Sequence, residues 1–271
     1  MSGKPGPRTR FPAALPAGAA KSKPAAREVL RPQRPVSQAA LDASRQQTPS
    51  GLGLDSSAVR QRMVQRLQAG GVACVPVLQA MGSVLRHQFV DSALVAQAYE
   101  DTSLPIGLGQ TISKPSVVAR MLSLLFEGHS ARVSGGLGKV LEIGTGCGYQ
   151  AAVLSLLARQ VVSIERLGPL HDMARERLVD LRGHKLTLIW GDGRLGYPAW
   201  APFDSIIAAA GGEDVPQAWL DQLAVGGRLV APVQSDAAGG HVLMVIDRDE
   251  QGWHRRLHEP VHFVPLKSGA E

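Results

Sequence analysis

Between Lys139 and Val233 the chain alternates between two hydrophobic periods, a pattern that few folds accommodate. Short apolar runs at Lys139–Ile143 (KVLEI), Val161–Glu165 (VVSIE), Leu186–Trp190 (LTLIW), Phe203–Ala209 (FDSIIAA) and Arg228–Val233 (RLVAPV) read as strands buried on both faces. Helical segments at Tyr149–Ala158, Leu170–Leu181 and Pro216–Leu223 lie between them. This alternation predicts an α/β fold, a doubly wound and mostly parallel sheet with helices on both faces. His241–Asp247 and Trp253–Val264 follow Gly239-Gly240 with no helix between them. They are expected to pair antiparallel and to complete a seven-stranded Rossmann-like sheet.

Upstream lies a helical N-terminal flank. Asp55, Ser56 or Ser57 can cap a helix with apolar positions Val59, Met63, Val64 and Leu67, and Gly70-Gly71 ends it. A second short helix is expected at Val75–Val84. Leu104–Gln110 (LPIGLGQ) carries a proline and two glycines and reads as a loop. Pro115 then sits in the first turn of a helix whose apolar face is Val117, Val118, Met121, Leu122 and Leu125.

A net charge of +6 suggests a nucleic-acid partner until it is divided by position. Residues 1–54 hold nine Lys or Arg against Glu28 and Asp42, which is +7 and leaves residues 55–271 at −1. The same tail has eight of the eighteen prolines, and Phe11 is its sole aromatic. Such a segment cannot bury enough surface to offset its ordering entropy, so 1–54 is expected to be a disordered basic tail. Its plain role is a solubilising extension; its sharper one is nonspecific attraction to anionic polymers. The catalytic domain is expected to span 55–271.

No stretch approaches the roughly 18 consecutive apolar residues of a membrane helix, and Pro12 and Pro16 break the only candidate for a secretory signal. Cys74 and Cys147 cannot make a disulfide framework, so a reducing cytoplasm is the expected setting. The eight histidines show no helical metal-binding spacing, and no metal site is expected.

The first strand ends in Glu142-Ile-Gly144-Thr145-Gly146-Cys147-Gly148-Tyr149. A dinucleotide fingerprint needs Gly or Ala three places after Gly146, where Tyr149 stands, and no Lys-Ser or Lys-Thr closes a phosphate loop. An acidic residue inside the strand followed by G-x-G-x-G fits S-adenosylmethionine instead, whose ammonium group suits a nearby carboxylate. Glu165 ends the second strand, where a carboxylate can accept hydrogen bonds from ribose hydroxyls. Asp192 and Gly193 follow the third strand and could meet the adenine edge. Any one acidic residue at a strand end is more often a cap or a solvated charge. Three at the ends of successive strands form a pattern.

With these motifs in view, the chain resembles the protein-L-isoaspartate O-methyltransferase family from about residue 60 to residue 267. The most specific segment is LPIGLGQTISKPSVV (104–118), followed by VLEIGTGCGYQ (140–150), SIER (163–166) and GDG (191–193). PFDSII (202–207), GGRLVAPV (226–233) and FVPL (263–266) complete the match. The resemblance implies methyl transfer from S-adenosylmethionine to the free α-carboxylate of L-isoaspartyl residues. The substrates would be damaged proteins and peptides, and methylation would start repair through a succinimide. It assigns the active-site serine to Ser113. Gln110, Thr111, Glu142, Gly144, Thr145, Gly146, Gly148, Glu165, Arg166, Asp192 and Gly193 would surround the cofactor. A cytoplasmic monomer that binds neither specific nucleic acid nor membrane is expected. Lys114 stands where many members have Gln, Ala208–Gly212 replaces a Thr-Ala-Ala-Pro stretch, and Lys267 takes the place of a threonine.

The acceptor carboxylate, with a pKa of roughly 3.5, is already ionised at pH 7, so no general base is required. Ser113 would orient it with one hydrogen bond. The residues alone also fit a plainer role, because Ser113 directly precedes Lys114-Pro115 and could cap a helix. Two other functions compete for these motifs. One is a methyltransferase acting on RNA, DNA or a small molecule, although Ala208–Gly212 lacks the aromatic and proline typical of base-modifying enzymes. The other is a noncatalytic nucleic-acid-binding protein led by the basic tail.

Overall fold

The computed structural model describes residues 57–181, 185–235 and 239–271. The basic tail and the candidate caps Asp55 and Ser56 lie outside the described residues.

The flank consists of α1 (Ser57–Ala69), α2 (Val75–Ser83) and two 3₁₀ turns, Arg86–Phe89 and Ser92–Gln97. The segment expected to be a loop is instead a β-hairpin, with β1 at Leu104–Gly107 and β2 at Gln110–Ile112. Leu104 pairs with Ile112 and Pro105 with Thr111. Gly107, Leu108 and Gly109 turn the chain with φ of 94°, 51° and 69°. The glycines that suggested a loop serve as the hairpin's tip, and the paired stretches are too short to show alternation. Helices α3 (Pro115–Phe126) and α4 (His129–Ser134) follow.

The sheet is built from β3 (Lys139–Ile143), β4 (Gln160–Glu165), β5 (Leu186–Trp190), β6 (Phe203–Ala208), β7 (Leu223–Ser235), β8 (Gly240–Asp249) and β9 (Gly252–Val261). Between them run α5 (Tyr149–Leu157), α6 (Gly168–Arg177) and α7 (Gln217–Gln222). The strand order is β5-β4-β3-β6-β7-β8-β9. Pairing is parallel from β5 to β7 and antiparallel from β7 to β9. Strand order therefore reverses at β3, which pairs with β4 on one side and β6 on the other, and a crevice opens beyond its carboxyl end.

Alternate residues of the central strands face opposite cores, which explains their continuous apolar runs. Val140, Val161, Ile207 and Val230 join the core beneath α1, α2, α3 and α5. Leu141, Val162, Ile206 and Leu229 join the other, around Phe203, Trp219 and Leu220. Each such side chain contributes roughly 1.5–3 kcal/mol on burial.

Several element bounds differ from expectation, among them β9, which ends at Val261 and not Val264. β7, expected at Arg228–Val233, begins at Leu223 and runs through Gly226-Gly227, with an irregularity in its pairing with β6. α6 stops at Arg177, and the turn after it keeps Leu178 fully buried. Leu178 packs against Gly148, where φ is 93° and a Cβ would lie 2.7 Å from the leucine Cδ1. Only glycine fits there. Gly148 thus joins α5 to α6 instead of facing the crevice.

Candidate active site

The crevice beyond β3 is walled by the Gly144–Cys147 turn, by Glu165–Leu167 after β4, and by Ala209 and Ala210 after β6. Gln110, Thr111 and Ser113 close it from the hairpin side, and Val264–Lys267 from the C-terminal side. Gly144 and Gly146 have φ of 88° and 55°, so the turn leaves the end of β3 free of side chains. Backbone N–H groups of Gly144 and Thr145 anchor the turn on the Ile164 carbonyl at 2.8 and 3.2 Å.

Glu165 is 5% exposed and ties the turn to β4. Its Oε2 accepts from Gly146 N at 2.8 Å and its Oε1 from Leu167 N at 3.0 Å. A carboxylate has about four acceptor sites, so two remain for the hydroxyls of a ribose.

Glu142 occupies a different place from the one its motif suggests. It is fully buried and does not line the crevice. Ser163 donates to its Oε2 at 2.6 Å, and Thr145 Oγ1 lies 2.6 Å from Ser163 Oγ. Burial pushes its carboxyl up to about 8, an effect the Ser163 hydroxyl and the nearby Gln150 amide oppose. Glu142 therefore braces the glycine turn from below through Ser163 and Thr145.

Asp192 also has its oxygens engaged. Oδ1 accepts from Arg194 N at 2.8 Å and Oδ2 from Gly269 N at 2.7 Å. Asp192 borders an adjoining groove with Ile164, Ile189 and Leu195, while Gly193 lines the crevice itself. Arg166 also lines it, and its guanidinium turns outward to Glu271 at 2.7 Å.

Ser113 lies between β2 and α3, half-buried on the crevice wall. It does not cap α3. The cap position is Lys114, which makes no side-chain cap bond. Asp101 takes that role from a distant loop, accepting from Ser116 N and Ser116 Oγ at 2.8 Å each. The Ser113 carbonyl accepts from Arg86 Nη2 at 2.7 Å, and among the described residues its hydroxyl makes no hydrogen bond.

Tyr149 and Gln150, which the sequence marks only as the end of the VLEIGTGCGYQ motif, both line the crevice. Tyr149 Oη, Gln150 Nε2 and Glu142 Oε1 are buried without a hydrogen bond of ordinary geometry, with Arg86 beside the first and the other two near each other. Buried polar atoms left unpaired beside a cavity suit a polar ligand. Val264, Pro265 and Leu266 belong to the noted FVPL motif, whose nearness to β6 comes from the Gly211–Pro265 bridge. Asp101 and Arg86 carried no sequence signal. Among the described residues no three His, Cys, Asp or Glu side chains gather as metal ligands.

A glycine turn at a sheet switch point, a ribose-ready carboxylate on the next strand and no phosphate loop define an S-adenosylmethionine-dependent methyltransferase. The family model described as protein-L-isoaspartate(D-aspartate) O-methyltransferase matches residues 58–271. A protein-L-isoaspartate O-methyltransferase of Methylibium petroleiphilum is 59% identical over 276 residues, spanning all of both chains. One from Leptothrix cholodnii is 61% identical over 243 residues, covering 88% of this chain and 84% of its own. A solved protein-L-isoaspartate O-methyltransferase superposes with a TM-score of 0.68 at 25% identity, covering 77% of this chain and 66% of that one. A Plasmodium falciparum chain described under the same family name, in complex with S-adenosyl-L-homocysteine, shares the fold at TM-score 0.65 and 22% identity. It covers 77% of this chain and 98% of its own. The chain belongs to the protein-L-isoaspartate(D-aspartate) O-methyltransferase family.

Proposed function

We propose that residues 55–271 form a methyltransferase domain whose crevice holds S-adenosylmethionine over the glycine turn and presents an isoaspartyl carboxylate at Ser113. The enzyme methylates the free α-carboxylate of L-isoaspartyl residues in damaged proteins and peptides, and the ester opens the way to repair through a succinimide. Bound cofactor supplies an activated methyl group on a sulfonium. Glu165 accepts from the ribose hydroxyls, and the Gly144–Gly146 turn lets the adenosine approach the backbone. Gln150 and Tyr149 offer polar atoms to the same ligand. Asp192, Gly193 and Arg166 border its adenine side.

The acceptor arrives as an anion, so the protein needs to place it and exclude water more than to remove a proton. The Ser113 hydroxyl can donate one hydrogen bond to a carboxylate oxygen and direct the other toward the methyl carbon. In-line placement at about 3–3.5 Å is the main source of rate in such a transfer. In an isoaspartyl linkage the free carboxylate hangs from Cα, one bond nearer the main chain than in aspartate. A rigid serine position selects for that shorter reach.

One observation carries this reading. Ser113 has a free hydroxyl on the crevice wall because Asp101 caps the helix in its place. Tritium from labelled cofactor should pass to an isoaspartyl peptide and not to its aspartyl twin; equal labelling of the two would overturn the reading. Among the described residues no helix is long and apolar enough to cross a membrane, and both cysteines are free thiols. Independently of these two facts, the reading is of a monomeric cytoplasmic enzyme that acts on proteins rather than on nucleic acid or membrane.

A further inference from the structure

Arg86 is fully buried, as only Glu142 is among the other charged side chains of the described residues. The contrast with Arg228 is informative. Arg228 is nearly as buried, but its guanidinium is matched by both oxygens of Asp247 at 2.6 and 2.8 Å. Arg86 forms no ion pair with any described residue. Its Nε donates to the Ala98 carbonyl and its Nη2 to the Ser113 carbonyl, each at 2.7 Å. The Cζ lies 4.7 Å from the centre of the Tyr149 ring, and Nη1, with the Tyr149 hydroxyl as its neighbour, makes no hydrogen bond of ordinary geometry. A guanidinium stays protonated under ordinary conditions, so this is a lasting positive charge out of water, with Tyr149 beside it and the Asp101 carboxylate acting on it from beyond ion-pair distance. Such a charge without a paired counter-ion is costly to keep buried.

The position of that charge gives it a use. Its two bonded arms join the end of the second 3₁₀ turn to the residue that, on the functional reading above, receives the acceptor. The bond to Ala98 fixes the guanidinium, and the bond from its Nη2 holds the Ser113 carbonyl. The counter-ion missing from the resting protein is the class of group the substrate brings to Ser113, a carboxylate.

We propose that Arg86 is a positioning and specificity-determining residue: it clamps the Ser113 carbonyl, and its unneutralised charge behind that residue selects an anionic acceptor. It acts through Ser113 and through its field, and touches no reacting atom. The inference rests on the isoaspartyl reading.

The test compares two peptides on the full chain: an isoaspartyl peptide with its free α-carboxylate, and the same peptide with an α-carboxamide as a competitive inhibitor. Wild-type protein should bind the carboxylate at least tenfold more tightly. Arg86→Gln should bring that ratio near one and raise KM, with affinity for S-adenosylhomocysteine within about twofold of wild type. Arg86→Lys keeps the charge but cannot reach both carbonyls, so it should keep most of the ratio and lose kcat by tenfold or more. A purely structural arginine would lower the melting temperature in both variants and leave the ratio alone. A ratio that survives Arg86→Gln overturns the proposal by itself. A wild-type protein that labels no isoaspartyl peptide overturns the functional reading and this proposal with it. Should Arg86→Gln fail to fold, Arg86→Lys decides, and undiminished turnover in that variant overturns the proposal.

Discussion

Ser113 and Asp101 divide two tasks that a single hydroxyl could have combined. Asp101 satisfies the first turn of α3, and Ser113 keeps its donor for a ligand. Substituting each should give opposite signatures. Asp101→Ala removes a cap and should cost about 0.5–2 kcal/mol of stability, with activity at low temperature largely kept. Ser113→Ala should leave the melting temperature and S-adenosylhomocysteine affinity nearly unchanged. Its turnover on isoaspartyl peptide should fall roughly ten- to a thousandfold, from a charge-assisted bond of about 1.5–3 kcal/mol plus lost alignment. Thermal melts and steady-state kinetics on both variants separate the roles, and an equally active Ser113→Ala would remove the serine from the mechanism. Glu165→Gln is the cofactor-side counterpart. Both carboxylate oxygens accept backbone N–H groups, and an amide would turn its own NH₂ against one of them. Calorimetry with S-adenosylhomocysteine should show a loss of about 1–3 kcal/mol, and unchanged affinity would exclude Glu165 from the ribose site.

At the level of elements, β3 carries both the switch point and the buried Glu142. Its carboxyl is raised by burial from an ordinary 4.5 to about 8 in the folded protein, so folding favours the neutral form. The associated stability is fully present below about 4.5 and is lost as pH rises through about 8. Urea unfolding between pH 5 and 9 should therefore show wild type weakening with pH relative to Glu142→Gln, which has no proton to lose. Parallel curves would contradict a buried neutral carboxyl. The strands that build this sheet were legible because both of their faces are buried, which leaves unbroken apolar runs. The glycine turn and Glu165 were legible because a strand's end fixes where the next residues must go. The hairpin was not, since strands of four and three residues show no period. Nor was the pairing of Asp101 with Ser116 or of Asp192 with Gly269, because each depends on a tertiary approach that no local pattern encodes. Glu142 shows the limit of a motif: the spacing located it, but only packing shows which way it points.

For the molecule as a whole, charge divides sharply between the basic residues 1–54 and a remainder that carries −1. If the catalytic unit is 55–271, starting the chain near Asp55 should leave kcat/KM within about threefold, well under 1 kcal/mol. A hundredfold loss, or failure of the shortened protein to fold, would show that the tail takes part. Within the described residues, the ends of β4 and β5 meet the last residues of the chain beside the crevice. Gly168 N donates to the Glu271 carbonyl at 2.6 Å, and Trp190 Nε1 to the Arg166 carbonyl at 3.1 Å. Trp190 is 56% exposed, whereas Trp219 is shut inside the core. The Trp190 indole, which like that of Trp253 is open to water, is thus bonded to the residue following Glu165. Its emission should shift as the crevice fills, giving the molecule an optical gauge of its own occupancy that needs no added dye.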